Sequence, residues 1–375
     1  MTTRRTFLAT GLAATGLATA GGLMAPTPSH AHPASAEIRT WMEEQVQFLL
    51  DHQVPSGALQ GPYDYNLQPY FSNWAAMGLA AANTAESREA LGKYITWMLA
   101  HMNTAETDPY GIAGTISDWH YDLETGEETD TGKYSSTDAG TTVPLITAHD
   151  AFRTGDRDLQ HLVMENIEKY EVMATATAVV GQVRNPDGLC WARPDSKVKY
   201  VADNAVVFRG LQCLAWLERK AGRMDKAKFY DQQARETRRG MIDVLWNEDF
   251  KNWSWTMGIY NLKVSYPEKA FMPDAWCQYW QVFMNVVKPE DRKAILSWKA
   301  FTDANPRWMY NEIDNQFPHN EMTTCAILMG EHDNAITKLR TCHESFSATG
   351  WELPWYHGEA GHVLRAGRLL LDRGY

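Results

Sequence analysis

The sequence predicts an all-α fold in which twelve helices form six pairs. Segments with apolar residues on one helical face alternate along the chain with segments that are apolar nearly all round. The connections alternate as well, because the link after an apolar helix is short and the link before the next one is long. Helices that are apolar all round need burial on every side, so we expect them to form an inner ring surrounded by the amphipathic helices.

Each predicted pair consists of an outer, amphipathic helix followed by an inner, apolar helix. In the first outer helix, Ile38, Met42 and Val46 recur at helical spacing. The predicted outer helices are 37–51, 87–102, 156–175, 224–246, 290–304 and 333–346. The predicted inner helices are 70–82, 141–152, 203–217, 275–287, 321–329 and 357–371. Unequal spacing between the inner helices indicates a structural repeat with insertions of variable length.

The long connections place the candidate site. They are 52–69, 103–134, 179–202, 247–272, 305–317 and 347–356, with β-like sequence at 112–121. In a ring of alternating helices all of them emerge on one face, where the inner helices begin. Long connections in a compact domain usually carry function. We therefore expect the functional site at the first turns of the inner helices.

Five local sequences lie at or beside these helix starts. They are Pro69-Tyr70-Phe71-Ser72-Asn73, Ser136-Thr137-Asp138, Tyr200-Val201-Ala202-Asp203-Asn204, Pro273-Asp274-Ala275 and Pro354-Trp355-Tyr356-His357-Gly358-Glu359-Ala360. The whole pattern resembles the (α/α)6 toroid of the six-hairpin glycoside hydrolases. This resemblance implies a single catalytic domain at 37–375, with small β-hairpin insertions on the loop-rich face. Polysaccharide lyases and terpenoid cyclases share the architecture, so the fold alone does not select an activity.

Glycoside hydrolysis usually needs two carboxyl groups, one as proton donor and one as nucleophile or base. A single Asp in the first turn of a helix is commonly a cap. Several acids around one mouth, however, raise one another's pKa and make a general acid possible. We predict catalytic roles for Asp138, Asp203, Asp274 and Glu359, with Asp203 and Asp138 as the leading acid/base pair. We expect a structural role for Glu321.

The chain is rich in aromatic residues, with 15 Trp and 16 Tyr, and several of them lie on the long connections. Aromatic rings cover the apolar faces of sugars, although packing of a loop onto the helices is the simpler role for each. His357 is expected to donate a hydrogen bond to substrate. The predicted substrate-binding residues are Tyr70, Asn73, Trp191, Asn204, Trp355, Tyr356 and His357.

Neither a metal site nor a cofactor is predicted. The five Cys are scattered and form no CxxC, which excludes a disulfide framework and a zinc knuckle. His357 and His362 do not have zinc-ligand spacing, and the acidic segment 118–130 lacks the EF-hand pattern. The chain has no P-loop, no dinucleotide-binding glycine motif and no GxSxG.

The amino terminus resembles a twin-arginine export signal. Thr3-Arg4-Arg5-Thr6-Phe7-Leu8 precedes a weakly apolar segment, and Ser29-His30-Ala31 is a small-x-small cleavage site. We therefore expect a signal peptide at 1–31 and a periplasmic or secreted mature protein. A net charge of −11 argues against nucleic-acid and anionic-membrane partners. We expect a monomer whose partner is a carbohydrate.

These observations predict an exported glycoside hydrolase that cleaves a polysaccharide or oligosaccharide. One alternative is a lyase that acts on a uronate-containing glycan on the same toroid. The groups available to a lyase are Tyr70, Asn73, Arg193, Tyr200, Asn204 and His357. The other alternative is a non-catalytic glycan-binding protein.

Overall fold

The computed structural model describes residues 32–61, 66–259 and 261–375, so the predicted signal peptide lies outside the described residues. These residues are mainly helical. The α-helices are α1 (Ala34–Asp51), α2 (Pro69–Ala82), α3 (Ala85–Ala100), α4 (Asp138–Arg153), α5 (Arg157–Glu165), α6 (Ile167–Ala178), α7 (Val201–Lys220), α8 (Met224–Gly240), α9 (Trp280–Phe283), α10 (Arg292–Ala304), α11 (Glu321–Leu328), α12 (His332–Phe346) and α13 (His357–Asp372).

Short antiparallel strands lie on or beside the long connections. The strands are β1 (Asn66–Leu67), β2 (Trp119–Tyr121), β3 (Glu128–Asp130), β4 (Lys199–Tyr200), β5 (Trp246–Asn247), β6 (Asn252–Trp253), β7 (Thr256–Met257) and β8 (Leu262–Lys263). They form sheets of order β1-β2-β3, β4-β7-β8 and β5-β6. The predicted β-like segment 112–121 is a strand only in its last residues, within β2.

The predicted inner ring is confirmed. Helix α2 packs on α4, α4 on α7, α7 on α9, α9 on α11, α11 on α13, and α13 returns to α2. The outer helices pack against this ring, with α1 on α13 and α2, α3 on α2 and α4, and α6 on α4 and α7. The ring therefore closes through the first and last inner helices, which gives the (α/α)6 toroid.

Glycines permit the closest contacts between inner helices. A Cβ atom on Gly78 of α2 would lie 2.4 Å from the Cα of Gly361 on α13. A Cβ atom on Gly210 of α7 would lie 2.5 Å from the backbone oxygen of Thr142 on α4. Both distances are shorter than any real Cβ contact, so these positions need a residue without a side chain.

Each short link after an inner helix contains a residue in the left-handed conformation. Such a residue ends a helix and lets the chain reverse within a few residues. The residues and their φ angles are Asn83 (55°), Gly155 (81°), Gly222 (76°), Asn285 (59°) and Gly330 (86°). The short links that the sequence predicted therefore have a common cause.

Two predicted helices are interrupted. Segment 156–175 is divided into α5 and α6 at Asn166, whose side chain donates to the Leu162 oxygen at 2.9 Å. The fourth inner helix starts with the short π and 3-10 turns Phe271–Ala275 and Trp276–Gln278 before α9. The side chain of Gln278 donates to the backbone oxygen of Asp274 at 2.9 Å and to that of Trp253 at 2.9 Å. Side-chain hydrogen bonds of this kind compete with a regular helical ladder.

All five Cys are buried and unpaired. None of the described helices is both long and apolar enough to cross a bilayer.

Candidate active site

A cavity of about 480 Å³ opens on the loop-rich face, where the inner helices begin. Its wall is mainly aromatic, and no Lys or Arg occurs among the described residues that line it. The aromatic lining residues are Tyr70, Phe71, Trp74, Tyr200, Trp255, Trp276, Trp280, Phe317 and Tyr356. The polar lining residues are Gln68, Ser135, Ser136, Asp203, His319, Glu321 and His362. The predicted position of the site thus coincides with a cavity of ligand-binding size.

Asp203 is in the first turn of α7 and lines this cavity. Burial raises the pKa of its carboxyl group from 3.8 to about 7. A carboxyl group with such a pKa carries a proton in a large fraction of molecules near neutral pH, which is what a general acid requires.

Asp138 begins α4 directly behind the cavity wall that Ser135 and Ser136 form. It is fully buried, and its Oδ1 accepts a hydrogen bond from the Ala139 N–H at 2.8 Å. Its Oδ2 is buried and has no hydrogen-bond partner within the described part of the chain. Burial, followed by the charge of Asp203, raises the pKa of Asp138 well above its usual value. Asp138 and Asp203, the two leading candidates, are therefore close enough to interact electrostatically, but of the two only Asp203 lines the cavity.

Glu321 begins α11 and also lines the cavity. Its Oε1 accepts hydrogen bonds from Trp276 Nε1 at 2.9 Å, Tyr279 OH at 3.1 Å and His319 Nδ1 at 3.1 Å. Burial opposes ionisation, but the charge and hydrogen bond of His319, with His362, lower the pKa of Glu321 to about 2. Glu321, which the sequence assigned a structural role, is thus the ionised carboxylate on the cavity wall.

Glu359 is fully buried in the first turn of α13, outside the cavity lining. Its Oε1 accepts from the His319 N–H at 3.0 Å, and its Oε2 accepts from the Asn320 N–H and Nδ2 at 2.8 and 2.9 Å. Burial and the nearby charge of Glu321 raise the pKa of Glu359 to about 7. The Glu359 carboxyl group holds the turn that positions His319 and Glu321 and does not itself reach the cavity.

Asp274, the remaining acid predicted to be catalytic, is not brought into the cavity. Its Oδ1 accepts a hydrogen bond from the Tyr266 N–H at 2.6 Å. Its neighbours Pro273 and Trp276 line the cavity instead. The carboxylate holds the preceding loop, which is a structural contact.

Of the predicted substrate-binding residues, Tyr70 and Tyr356 line the cavity. The side chains of Asn73 and Asn204 are buried and serve the fold. Asn73 donates to the Pro69 oxygen at 2.7 Å and accepts from Thr147 Oγ1 at 2.6 Å. Asn204 accepts from the Cys190 N–H at 2.7 Å and donates to the Cys190 oxygen at 3.1 Å.

The other three predicted binding residues lie elsewhere. Trp191 is outside the cavity lining, and the ammonium group of Lys197 lies 5.0 Å from the centre of its ring. Trp355 is 1% exposed, and its indole N–H donates to Gln45 Oε1 at 3.1 Å. His357 is also 1% exposed and belongs to a second cavity, described below.

Trp74 and His362 both line the cavity, and their rings lie 5.4 Å apart. The guanidinium of Arg365 lies 5.8 Å from the centre of the Trp74 ring and 4.9 Å from that of Phe283. Burial lowers the pKa of His362 to about 4, so this imidazole is neutral at neutral pH. Sequence reasoning missed His319 and His362 as cavity residues. The sequence Pro318-His319-Asn320-Glu321 at an inner-helix start is the signal that could have found His319.

Among the described residues, His319, Glu321 and Glu359 form a group of potential metal ligands whose atoms lie within 4.8 Å of one another. Both Glu359 oxygens, however, accept N–H hydrogen bonds, and Glu321 Oε1 accepts three. Donor hydrogens point at the positions where a cation would need free lone pairs. This group is better explained as a hydrogen-bonded support for Glu321.

No protein-family model matches the chain, and no curated protein sequence matches it significantly. Solved structures do share its fold. A metal-independent alpha mannosidase from Streptococcus pneumoniae superposes with a TM-score of 0.60 at 12% identity, covering 91% of this chain and 96% of that one. The GH63 mannosylglycerate hydrolase from Thermus thermophilus gives 0.58 at 11% identity, with 89% and 100% covered.

A rhamnosidase from Klebsiella oxytoca gives a TM-score of 0.58 at 14% identity, covering 92% of this chain and 66% of that one. At these identities the likeness establishes the (α/α)6 toroid over nearly all of the described chain.

Proposed function

We propose that this chain is a glycoside hydrolase that acts on a neutral glycan. The observation that carries the proposal is a pair of carboxyl groups on the wall of one cavity whose pKa values move in opposite directions. The pKa of Asp203 is raised to about 7, and the pKa of Glu321 is lowered to about 2. Pairs of acids held in opposite protonation states are the arrangement that glycosidic bond cleavage uses.

In the proposed reaction, Asp203 gives its proton to the glycosidic oxygen as the bond to the anomeric carbon breaks. Glu321 remains ionised and stabilises the positive charge that develops on the sugar ring. It then acts either as the nucleophile that attacks the anomeric carbon or as the base that activates the attacking water. Water supplies the hydroxyl group of the new reducing end, and its second proton restores Asp203. The raised pKa of Asp203 is due to burial, and the charge of Asp203 in turn adds to burial in raising the pKa of Asp138.

The cavity wall supports a neutral sugar as the substrate. Its rings can cover the apolar faces of a pyranose, while Gln68, Ser135 and Ser136 supply hydrogen bonds to hydroxyl groups. A carboxylated sugar would need a cationic partner, and the described lining has no Lys or Arg. The fold neighbours named for mannosidase, rhamnosidase and mannosylglycerate hydrolase activities add support for glycoside cleavage.

The same wall disfavours the lyase alternative. Arg193, the predicted uronate partner, is bound to Asp195 at 2.9 Å and is absent from the lining. Burial, followed by the charge of Asp203, raises the pKa of Tyr70 well above 10.0, which makes it a poor base. His357 lies outside the cavity lining.

We also propose that the protein acts outside the cytoplasm. The support is the twin-arginine motif with its cleavage site, together with a fold whose five Cys are unpaired and so need no disulfide. Replacing Arg4 and Arg5 by Lys should leave the uncleaved precursor in the cytoplasm. Cell fractionation with an antibody to the mature chain tests this, and unchanged export of the double variant would refute it.

The activity is tested with a panel of neutral 4-nitrophenyl glycosides and neutral oligosaccharides. The wild type should release sugar with a new reducing end, and Asp203→Asn should abolish this release from the oligosaccharides, whose leaving group needs a proton. The control is Asp225→Asn, since Asp225 is fully exposed on the outer helix α8, and it should retain wild-type rates. Ultraviolet absorbance from an unsaturated uronate product would establish a lyase instead. Saturable binding without turnover would establish a binding protein.

A further inference from the structure

A second cavity, of about 420 Å³, opens between the first and last hairpins of the toroid. Phe48 and His52 line it from the end of α1, and Trp351 and Glu352 line it from the connection between α12 and α13. It shares no lining residue with the central cavity, although Tyr356 lines the central one and the next residue, His357, lines this one. The two cavities are therefore neighbours separated by the chain at the start of α13.

The apolar side of the second cavity is a tryptophan pair. The rings of Trp351 and Trp355 lie 4.8 Å apart with an angle of 48° between their planes. Trp355 is the buried member of the pair, while Trp351 is partly exposed. Trp351 has a φ of 63°, a left-handed conformation that is costly for a bulky residue. Trp351 therefore lines the cavity at the expense of backbone strain.

The polar side includes His357, one of whose two ring nitrogens is unpaired in the described structure. His357 is 1% exposed, and its Nε2 lies 3.3 Å from Ser72 Oγ. Its Nδ1 is buried and has no hydrogen-bond partner among the described residues. An unpaired buried ring nitrogen is costly, and a ligand hydroxyl can pair with it in either tautomer. Gln60 and the exposed carboxylate of Glu352 offer further polar contacts in the same lining.

We propose that this second cavity is a binding site for one sugar residue of a neutral glycan, with Trp351 as the stacking platform. An indole face combined with a carboxylate, an amide and an imidazole matches a pyranose, which has apolar faces and a rim of hydroxyl groups. The proposal shares the substrate class of the proposed function but does not need turnover, because binding here is independent of Asp203.

The probes are maltotriose, cellotriose and α-mannotriose, offered to the Asp203→Asn protein so that hydrolysis does not consume them. Binding is measured by isothermal titration and by crystal soaks. We expect density for a sugar ring on Trp351 with at least one of the three probes. Trp351→Gly should weaken that binding about tenfold, the value of an ordinary stacking contact. Glycine adopts a φ of 63° without strain, which offsets part of the packing lost with the indole, and the thermal midpoint of the variant is measured as the control for folding.

A second variant, Glu352→Gln, keeps the shape of an exposed side chain and removes only its charge. It should retain stacking on Trp351 and change the affinity less than Trp351→Gly does. The proposal is overturned if no probe occupies the second cavity, or if Trp351→Gly leaves affinity and stoichiometry unchanged. Failure of the proposed hydrolase function shows differently, as an absence of turnover by the wild type while binding at Trp351 persists.

Discussion

Asn320 donates two hydrogen bonds to one oxygen of Glu359, from its backbone N–H at 2.8 Å and from its side-chain amide at 2.9 Å. The other Glu359 oxygen accepts from the His319 N–H at 3.0 Å. His319 is left-handed, with a φ of 54°, and its ring Nδ1 donates to Glu321 Oε1 at 3.1 Å. A buried acid on the last inner helix therefore fixes the turn that positions the ionised carboxylate of the cavity.

Glu359→Gln tests this supporting role. The glutamine amide would face N–H donors, so at least one of them loses its acceptor, at a cost of about 1–3 kcal/mol. We expect a lower thermal midpoint and a lower kcat with little change in KM, because His319 and Glu321 shift while the aromatic wall remains. The fall in kcat/KM on the alkaline side of the pH–rate profile should occur at the same pH in this variant as in the wild type. Loss of that alkaline fall would instead identify Glu359 as the proton donor.

The pH dependence of the wild type follows from the two cavity acids. Activity requires Asp203 protonated and Glu321 ionised, so kcat/KM should fall as the pH rises through about 7. On the acidic side it should fall only as the pH approaches about 2, provided that the chain stays folded. A pH–rate profile checks both limbs. An activity that continues to rise above neutral pH would contradict the assignment of Asp203 as the acid.

Asp203→Asn should stabilise the protein while it abolishes activity on substrates whose leaving group needs protonation. The pKa of Asp203 is raised from 3.8 to about 7 in the folded state. Its contribution to stability is therefore complete below pH 3.8 and is lost as the pH rises through about 7. Asparagine is neutral throughout, so the thermal midpoint should exceed that of the wild type above pH 7 and match it in acid. A lower midpoint of the variant above pH 7 would show that the Asp203 charge is stabilised by contacts.

Asp274→Asn is the matched comparison for Asp203→Asn. Asn Oδ1 can still accept the Tyr266 N–H, and the side chain lies outside the cavity lining. We expect kcat and KM within about twofold of the wild type. A loss of kcat as large as that of Asp203→Asn would restore the catalytic role that the sequence suggested for Asp274.

The contact between α2 and α13 can be tested apart from catalysis. Gly78→Ala would drive a Cβ atom to 2.4 Å from Gly361 Cα and should destabilise the fold by about 1–3 kcal/mol. Gly140→Ala in α4 is the control, because a Cβ there meets no atom within 4 Å. Helix propensity predicts a gain of about 0.5–1 kcal/mol for Gly140→Ala. Equal denaturation curves for the two variants would mean that the close contact does not hold the ring together.

The fold could be predicted from the sequence because helix periodicity and the alternation of link lengths are repeated six times. The breaks at Asn166 and before α9 were missed, since each depends on a single side chain that hydrogen-bonds to the backbone. The short links were predicted by length alone, and the left-handed Asn83 and Asn285 supply their physical cause.

The sequence predicted the location of the candidate site better than it predicted which side chains line the cavity. Every predicted acid lies at or near an inner-helix start, but the rotation of each first turn decides which side chain faces the cavity. Asp203 and Glu321 face it, whereas Asp274 is turned away and Glu359 lies behind it. Sequence periodicity does not resolve such rotations, because a shift of one residue turns a helix by about 100°. Glu321 was assigned a structural role for this reason.

Leaving-group dependence tests the central claim, that Asp203 is the proton donor of a glycoside hydrolase. A 2,4-dinitrophenyl leaving group departs without protonation, whereas an alkyl or sugar leaving group needs an acid. With the sugar that the wild type accepts, Asp203→Asn should retain most of its kcat on the dinitrophenyl glycoside. On the matched alkyl glycoside it should lose about 10²–10⁴-fold. An equal loss on both substrates, or no loss on either, would contradict the account.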